Sequence, residues 1–128
     1  MKLLQPSYAC DGTGVSSSAN MAYVLTSQFN YGNAIKANDD YNVVVTNVDY
    51  NRPVILSGSN STSGHMWVCD GYRTTNFYFD DCTGVGFLHF HMNWGWGGNY
   101  DGWYAYNNFN PGNTNYNDNK KMIYNIIP

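Results

Sequence analysis

The sequence predicts one α+β domain whose strands form an antiparallel sheet. Hydrophobic residues make up 43% of the 128 residues and aromatic residues 17%, which is enough to bury a single core. One early segment has helical spacing, and the later extended segments follow one another without an intervening helix. We therefore expect residues 1–128 to form a single domain with one main helix and about six strands.

The predicted helix covers residues 17–29. Its side chains recur at intervals of three or four residues, which places them on one face of a helix. The residues in this pattern are Ala19, Ala22, Tyr23, Leu25, Thr26 and Phe29. The helix is expected to stop before Gly32, since glycine commonly follows a helix end.

Extended segments make up most of the remaining chain. Strands are predicted over residues 41–48 and 53–56, joined by a short turn. Residues 57–64 contain only Ser, Gly, Asn and Thr, a composition typical of an exposed flexible connection. The later strand candidates are residues 65–70, 77–79, 87–93, 102–106 and 122–127. A turn is predicted over residues 81–86 and a loop over residues 107–119.

Charge and cysteine content exclude several classes of partner. The net charge is −3 with only six Lys and Arg, so we expect no nucleic acid to bind. The three cysteines form no C-x-x-C pair, which argues against a disulfide framework and a zinc ribbon. The first residues contain no apolar run long enough for a signal peptide or a membrane span, and no cofactor or membrane partner is expected.

Two segments carry the chemistry. The first joins Gly64 and His65 to an alternating strand that ends at Asp70-Gly71, and the second runs from His91 through Asn93-Trp94-Gly95-Trp96-Gly97-Gly98 to Asp101-Gly102-Trp103. Together they resemble the streptopain family of papain-like cysteine peptidases. The resemblance implies the C-terminal, histidine-bearing subdomain of a papain-like fold, an antiparallel sheet or half-barrel with one main helix. It also implies proteolysis by a secreted or cell-surface bacterial protein.

The resemblance assigns catalytic roles to three residues. His65 matches the catalytic histidine, which takes and returns the proton of a thiol. Asn93 matches the amide that accepts the hydrogen bond from the distal ring N–H of that histidine. Trp94 would cover the pair and exclude water.

Substrate contacts are implied for three further positions. Trp96 matches a tryptophan near the substrate cleft, and Gly64 would leave room beside His65. Gly14 belongs to a glycine-rich loop, residues 11–14, that matches a wall of the substrate pocket. The second motif's glycines would let the backbone turn tightly close to a peptide substrate.

The family's nucleophilic cysteine and oxyanion-hole donor have no counterpart in these residues. Cys10 precedes a helix but matches the pocket loop, and Cys69 is expected to pack in the core. We therefore expect a nucleophile-bearing N-terminal half or partner chain, and the isolated chain to be inactive. A homodimer is a further expected partner, because an isolated half exposes its packing surface. Residues 73–86 are expected to form an extended hairpin where the resembled family has a shorter turn.

Other interpretations use the same residues. A catalytically dead homologue would bind peptides or act as an inhibitory module, and the aromatic residues could form a carbohydrate platform. A metal site could be imagined from His89, His91 and Cys82, but no third ligand has a suitable spacing, so no metal is expected. Asp70 and Asp101 each precede a glycine and are expected to hold a turn.

Overall fold

The computed structural model describes residues 6–9, 12–15 and 20–128, with side chains from Asn20 onward. Two helices occur in this part of the chain, α1 (Met21–Gln28) and α2 (Tyr41–Asp49). Its strands are β1 (Pro6–Ala9), β2 (Gly12–Val15), β3 (Ile35–Asn38), β4 (Val54–Ser59), β5 (Gly64–Tyr78), β6 (Gly84–Asn93), β7 (Gly102–Ala105) and β8 (Asp118–Tyr124).

The strands form two sheets, and every described pair is antiparallel. β1 and β2 make a two-stranded ribbon, and the other six strands lie in the order β3-β8-β4-β5-β6-β7. The last strand in the chain, β8, lies between β3 and β4, which ties the C-terminal residues into the middle of the sheet. The predicted α+β class and antiparallel sheet are confirmed.

The strand predicted over residues 41–48 is wrong, because these residues form helix α2. Asp40 caps this helix, since its side chain accepts a hydrogen bond from the Asn42 N–H at 2.9 Å. Val44 and Asn47 are buried on one face, and the Asn47 side chain accepts the Asn125 N–H at 2.9 Å. Valine favours strands on average, but here the cap and the packing of one helical face outweigh that preference.

Helix α1 ends one residue before the predicted end. Asn20 caps its N-terminus by accepting the Tyr23 N–H at 3.0 Å. The predicted first turn, residues 17–19, lies outside the described residues. The expectation of one main helix is corrected, since α1 and α2 have eight and nine residues. Neither helix in the described part of the chain is long and apolar enough to cross a membrane.

The connection predicted over residues 57–64 is shorter and more ordered than its composition indicates. β4 continues to Ser59, so only four residues connect it to β5. The Asn60 side chain accepts the N–H groups of Thr62 and Ser63 at 2.9 and 2.8 Å. This turn chemistry holds the connection in one shape beside the start of β5.

Gly58, the last residue but one of β4, lies against the loop between β7 and β8. A Cβ atom at this position would lie 1.9 Å from the backbone oxygen of Tyr116. The loop between β7 and β8 therefore packs directly on the β4 backbone, and only glycine leaves room for it. This contact brings the buried Tyr116 ring over the end of the sheet.

β5 and β6 extend beyond the other strands as a long hairpin, which we call the arm (residues 73–88). Their pairing runs from Val68 opposite Asn93 to Tyr78 opposite Gly84, and the turn covers 79–83 instead of the predicted 81–86. The predicted hairpin over 73–86 is confirmed. The arm extends away from the strand ends that carry His65 and Asn93, so its added length does not alter their register.

The core lies on the face of the sheet that α2 and the loop between β7 and β8 cover. Its tightly buried members include Val44, Val54, Leu56, Trp67, Cys69, Phe90, Met92, Trp94, Phe109, Tyr116 and Met122. Several of these are aromatic and cluster at one end of the sheet, where β5 begins and β6 ends. The half-buried His65 lies at that end.

Candidate active site

His65 is the second residue of β5 and pairs with Gly58 of β4. Its Nε2 atom lies 2.8 Å from the backbone oxygen of Trp94. Because a carbonyl oxygen only accepts hydrogen bonds, this contact assigns the ring proton to Nε2. The other nitrogen, Nδ1, then carries a lone pair, and no hydrogen bond within the described residues engages it.

Aromatic rings surround the His65 imidazole. Trp96 stacks on it with ring centroids 4.8 Å apart and planes 26° apart. Tyr116 lies at 5.5 Å, Trp67 at 6.2 Å and Trp94 at 6.3 Å. The ring nearest to the imidazole thus belongs to Trp96, while the Trp94 ring, the predicted cover, is fully buried beneath the site with its plane 15° from that of the imidazole.

The Asn93 side chain has a different hydrogen-bond partner from the one that the resemblance implies. Its Oδ1 atom accepts the Gly95 N–H at 3.0 Å, and the His65 ring has the Trp94 oxygen as its partner instead. The register explains this result. Asn93 is opposite Val68 on β5, and His65 precedes Val68 by three residues, so the side chains of His65 and Asn93 point to opposite faces of the sheet.

Asn93 nevertheless contacts the peptide group that His65 contacts. The Trp94 carbonyl and the Gly95 N–H belong to one peptide unit, so Nε2 of His65 donates to one end of it and Oδ1 of Asn93 accepts from the other. Hydrogen bonds in such a chain polarise one another and become stronger. The arrangement links the two predicted residues through the backbone.

The loop that follows Trp94 depends on glycine for its backbone angles. Gly95, Gly97 and Gly98 have φ values of 75°, 64° and 90°, which other residues rarely adopt. A Cβ atom on any of the three would meet no atom within 4 Å. These glycines are therefore required by conformation, and the space above them stays open.

Asp101 closes this loop. Its Oδ1 atom accepts the Trp94 N–H at 2.8 Å, a bond that spans seven residues. Asp101 was predicted to hold a local turn, and its side chain instead joins the two ends of the loop between Trp94 and Asp101. Sequence reasoning missed this partner, and it also missed Tyr116, an aromatic residue within the Asn- and Gly-rich loop.

The two glycines predicted to contact substrate lie in different places. Gly64 immediately precedes His65, and a Cβ atom there would come only to 3.5 Å from the Gly58 oxygen, which is an ordinary contact. Gly14 lies on β2 opposite Ser7, in the separate two-stranded ribbon. The structure therefore brings His65, Gly64, Trp94 and Trp96 to one end of the large sheet, with Asn93 on the opposite face of the same end.

The described cysteines lack the character of a nucleophile. Cys69 is fully buried, and burial raises its pKa to about 12, with its thiol 3.6 Å from the Gly71 oxygen. Its predicted packing in the core is confirmed. Cys82 is exposed in the turn of the arm, far along the hairpin from His65. Cys10 lies outside the described residues.

The histidines weighed for a metal site have other surroundings. His91 Nδ1 contacts Asp70 Oδ1 at 2.6 Å, and Asp70 lies at an irregularity in the β5–β6 pairing, where it does not hold the predicted turn. His89 is opposite Arg73 at the base of the arm. In the part of the chain that the structure describes, no three His, Cys, Asp or Glu side chains are grouped to hold a metal ion.

The chain is similar to several known proteins. A family model described as the Peptidase C10 family matches residues 3–104. The thiol protease/hemagglutinin PrtT of Porphyromonas gingivalis is 44% identical over 62 residues, covering 48% of this chain and 6% of that protein. Streptopain of Streptococcus pyogenes is 38% identical over 61 residues, covering 48% of this chain and 12% of that protein. The chain thus spans 12% or less of the length of these curated relatives.

A solved structure has a similar fold. The active wild-type interpain A cysteine protease of Prevotella intermedia matches with a TM-score of 0.65 at 23% identity. The match covers 92% of this chain and 48% of that chain, so this chain corresponds to about half of the solved protein. The predicted papain-like fold is confirmed by this similarity.

Proposed function

Because the chain belongs to the Peptidase C10 family, we propose that it supplies the histidine half of a thiol peptidase active site. The observation that carries this proposal is the 2.8 Å contact between Nε2 of His65 and the Trp94 oxygen. That contact directs the basic Nδ1 atom away from the peptide that holds the ring. The relatives PrtT and streptopain support the chemistry, since the first is itself named a thiol protease.

In the proposed reaction, Nδ1 of His65 takes the proton of a cysteine thiol. The resulting thiolate attacks the scissile carbonyl, and the imidazolium then gives its proton to the leaving amine. Water hydrolyses the thioester, with Nδ1 taking a proton from water and returning it to the thiol sulfur. Throughout, the Trp94 oxygen accepts the Nε2–H and stabilises the positive charge that forms on the ring.

The surrounding aromatic rings support this role. Trp96 and Tyr116 cover the imidazole and replace water next to it, and an ionic hydrogen bond is stronger in a medium of lower dielectric. Asn93 is proposed to act on His65 indirectly, through the peptide unit between Trp94 and Gly95. Its side chain accepts the Gly95 N–H and so strengthens the Trp94 oxygen as an acceptor. Trp94 contributes its backbone to the site and its ring to the floor beneath it.

The nucleophile is proposed to come from an N-terminal half or a partner chain, and the isolated chain not to cleave peptides. Cys69 is buried with a pKa raised to about 12, and Cys82 lies on the arm, so neither suits the role. Cys10 matches the pocket loop of the resembled family, as Gly14 does. The substrate is a peptide or protein that passes Gly64 and Trp96, and secretion or display on a bacterial surface rests on the family resemblance alone.

The test is the intact mass of the chain and its partner after treatment with an epoxysuccinyl thiol-protease inhibitor. The chain is treated alone and mixed with the nucleophile-bearing half of a relative such as streptopain. We expect a single adduct on the nucleophile-bearing half only in the mixture, and its loss with His65→Ala. The matched control is His91→Ala, which removes a histidine of the same sheet and should leave labelling unchanged. Equal labelling with His65→Ala would contradict the proposal.

A catalytically dead peptide-binding or inhibitory module is the second candidate. It is favoured by the two described cysteines, since Cys69 is buried with a raised pKa and Cys82 lies in the turn of the arm, while aromatic rings surround His65. Calorimetry of the isolated chain with unlabelled peptides tests it. This candidate expects binding that survives His65→Ala and is lost with Trp96→Ala, whereas no measurable binding would exclude it.

A further inference from the structure

The carboxylate of Asp101 lies directly behind the group that orients His65. Its Oδ1 atom accepts the backbone N–H of Trp94 at 2.8 Å, and the backbone oxygen of the same Trp94 lies 2.8 Å from Nε2 of His65. The backbone of Trp94 therefore makes both hydrogen bonds: its N–H donates to Asp101, and its oxygen accepts from His65. The contact from Asp101 is charge-assisted, which makes it stronger than a bond between neutral groups.

Three anchors determine the direction of the Trp94 carbonyl. The first is the Asp101 carboxylate on the N–H, and the second is the fully buried indole ring. The third is the bond from the Gly95 N–H to Asn93. With the N–H and the ring fixed, only rotation about the bond from Cα to the carbonyl carbon remains, and the Asn93 bond restricts it.

The loop after Trp94 contains two backbone hydrogen bonds, from the Asn99 N–H to the Trp96 oxygen at 3.2 Å and from the Asp101 N–H to the Gly98 oxygen at 3.3 Å, but neither of them reaches Trp94. Gly95, Gly97, Gly98 and Tyr100 all have positive φ, and glycine has the widest choice of backbone angles. This loop starts and ends within seven residues and contains three such glycines. It therefore needs a bond between its two ends to keep one shape. Asp101 forms that bond.

We propose that Asp101 is a positioning residue for His65: its carboxylate holds the Trp94 N–H and so directs the Trp94 oxygen at the Nε2–H of the imidazole. This inference rests on the proposed role of His65 as the base. Asp101 touches neither substrate nor nucleophile in this arrangement. It acts on the reaction through the backbone of one intervening residue.

The direct test is NMR of the isotope-labelled chain, which needs no nucleophile. The Nε2–H proton of His65 is expected to exchange slowly with water in the wild type. Asp101→Ala is expected to speed that exchange by about tenfold or more, because the carbonyl is no longer held toward the ring. Asp101→Asn keeps an oxygen at the same place and should restore slow exchange. Asp118→Ala removes an exposed carboxylate at the start of β8, two strands away from β5, and should have no effect.

A purely structural role for Asp101 predicts a different result. Asp101→Ala would then lower the melting temperature but leave the exchange of the His65 Nε2–H as in the wild type, and this outcome overturns the inference. If Asp101→Ala fails to fold, the scalar coupling across the hydrogen bond from Trp94 N to the Asp101 carboxyl carbon is measured in the wild type. Its absence, with the coupling from His65 to the Trp94 carbonyl present, also overturns the inference.

Activity of the complemented enzyme separates this inference from the proposed function. We expect Asp101→Ala to lower the rate of inhibitor labelling about tenfold and Asp101→Asn to change it less than about twofold. An active mixture with Asp101→Ala at the wild-type rate would refute the inference and leave the proposed function standing. An inactive mixture in which Asp101→Ala still releases the His65 proton would refute the proposed function alone.

Discussion

The Trp96 ring is the aromatic ring nearest to the His65 imidazole, with centroids 4.8 Å apart and planes 26° apart. We predict that Trp96→Ala lowers kcat/KM of the complemented enzyme about tenfold, since water reaches the imidazole from the side that the indole covers. Trp96→Phe keeps an aromatic face and should retain most of the activity. Steady-state cleavage of a fluorogenic peptide measures both variants. An alanine variant as active as the phenylalanine variant would show that the stack does not matter.

Gly58 is predicted to be among the positions least tolerant of a methyl group. Gly58→Ala places a Cβ atom 1.9 Å from the Tyr116 backbone oxygen, so the loop or the strand must move. We expect a loss of about 2–3 kcal/mol in the free energy of unfolding. Gly32→Ala, where the added atom would meet nothing within 4 Å, should change it by less than about 1 kcal/mol. Urea denaturation compares the two, and equal losses would contradict the close approach.

Cys69 is predicted to resist alkylation in the folded chain. Its pKa of about 12 leaves roughly one thiol in ten thousand ionised at pH 8, and the side chain is fully buried. Iodoacetamide at pH 8 should therefore modify the exposed Cys82 and spare Cys69, as peptide mapping of a Cys10→Ser variant would show. In urea both thiols should react. Early modification of Cys69 without urea would mean that the core opens readily.

Asp39 gives the stability of the chain a predictable pH dependence. Burial raises its pKa above the ordinary value of 3.8, Lys120 partly offsets that effect, and its Oδ1 atom has no hydrogen-bond partner among the residues that the structure describes. A carboxyl group with a raised folded-state pKa costs stability as the pH rises from 3.8 through that raised pKa. Asp39→Asn should therefore be more stable than the wild type at neutral pH.

The advantage of Asp39→Asn should shrink as the pH falls through the raised pKa and below 3.8, because the carboxyl group becomes protonated first in the folded state and then in the unfolded state as well. Thermal melts between pH 3 and 8 measure this convergence. Asp118→Asn, on the exposed end of β8, serves as the control and should follow the wild type. A stability difference that stays constant across this range would refute the assignment.

Much of the architecture was predictable because the relevant signals are local. Alternation over residues 65–70 and 87–93 identified the two strands that carry the site, and the glycines of the second motif identified a tight loop. The helix over residues 41–49 was not predicted, since its valines have strand preference and its burial depends on Asn125 near the other end of the chain. Contacts between distant segments leave little trace in a local pattern.

The partner of His65 was missed for a related reason. Residue types predict side-chain hydrogen bonds, and Asn93 was therefore chosen as the acceptor. The actual acceptor is a backbone oxygen, which every residue possesses, so only the register of β5 against β6 distinguishes it. Asp101 was likewise seen as a local turn residue because its bond to Trp94 depends on the path of the loop between them.

The arm separates the thiol of Cys82 from His65 by a long distance. Cys82, in its turn, lies about thirteen strand residues beyond His65, or roughly 40 Å at the usual rise of an extended chain. In a Cys10→Ser background this thiol offers a single attachment point for a fluorophore or a solid support. Molecules tethered there would all present the His65 end outward, which suits the chain to oriented immobilisation in binding sensors.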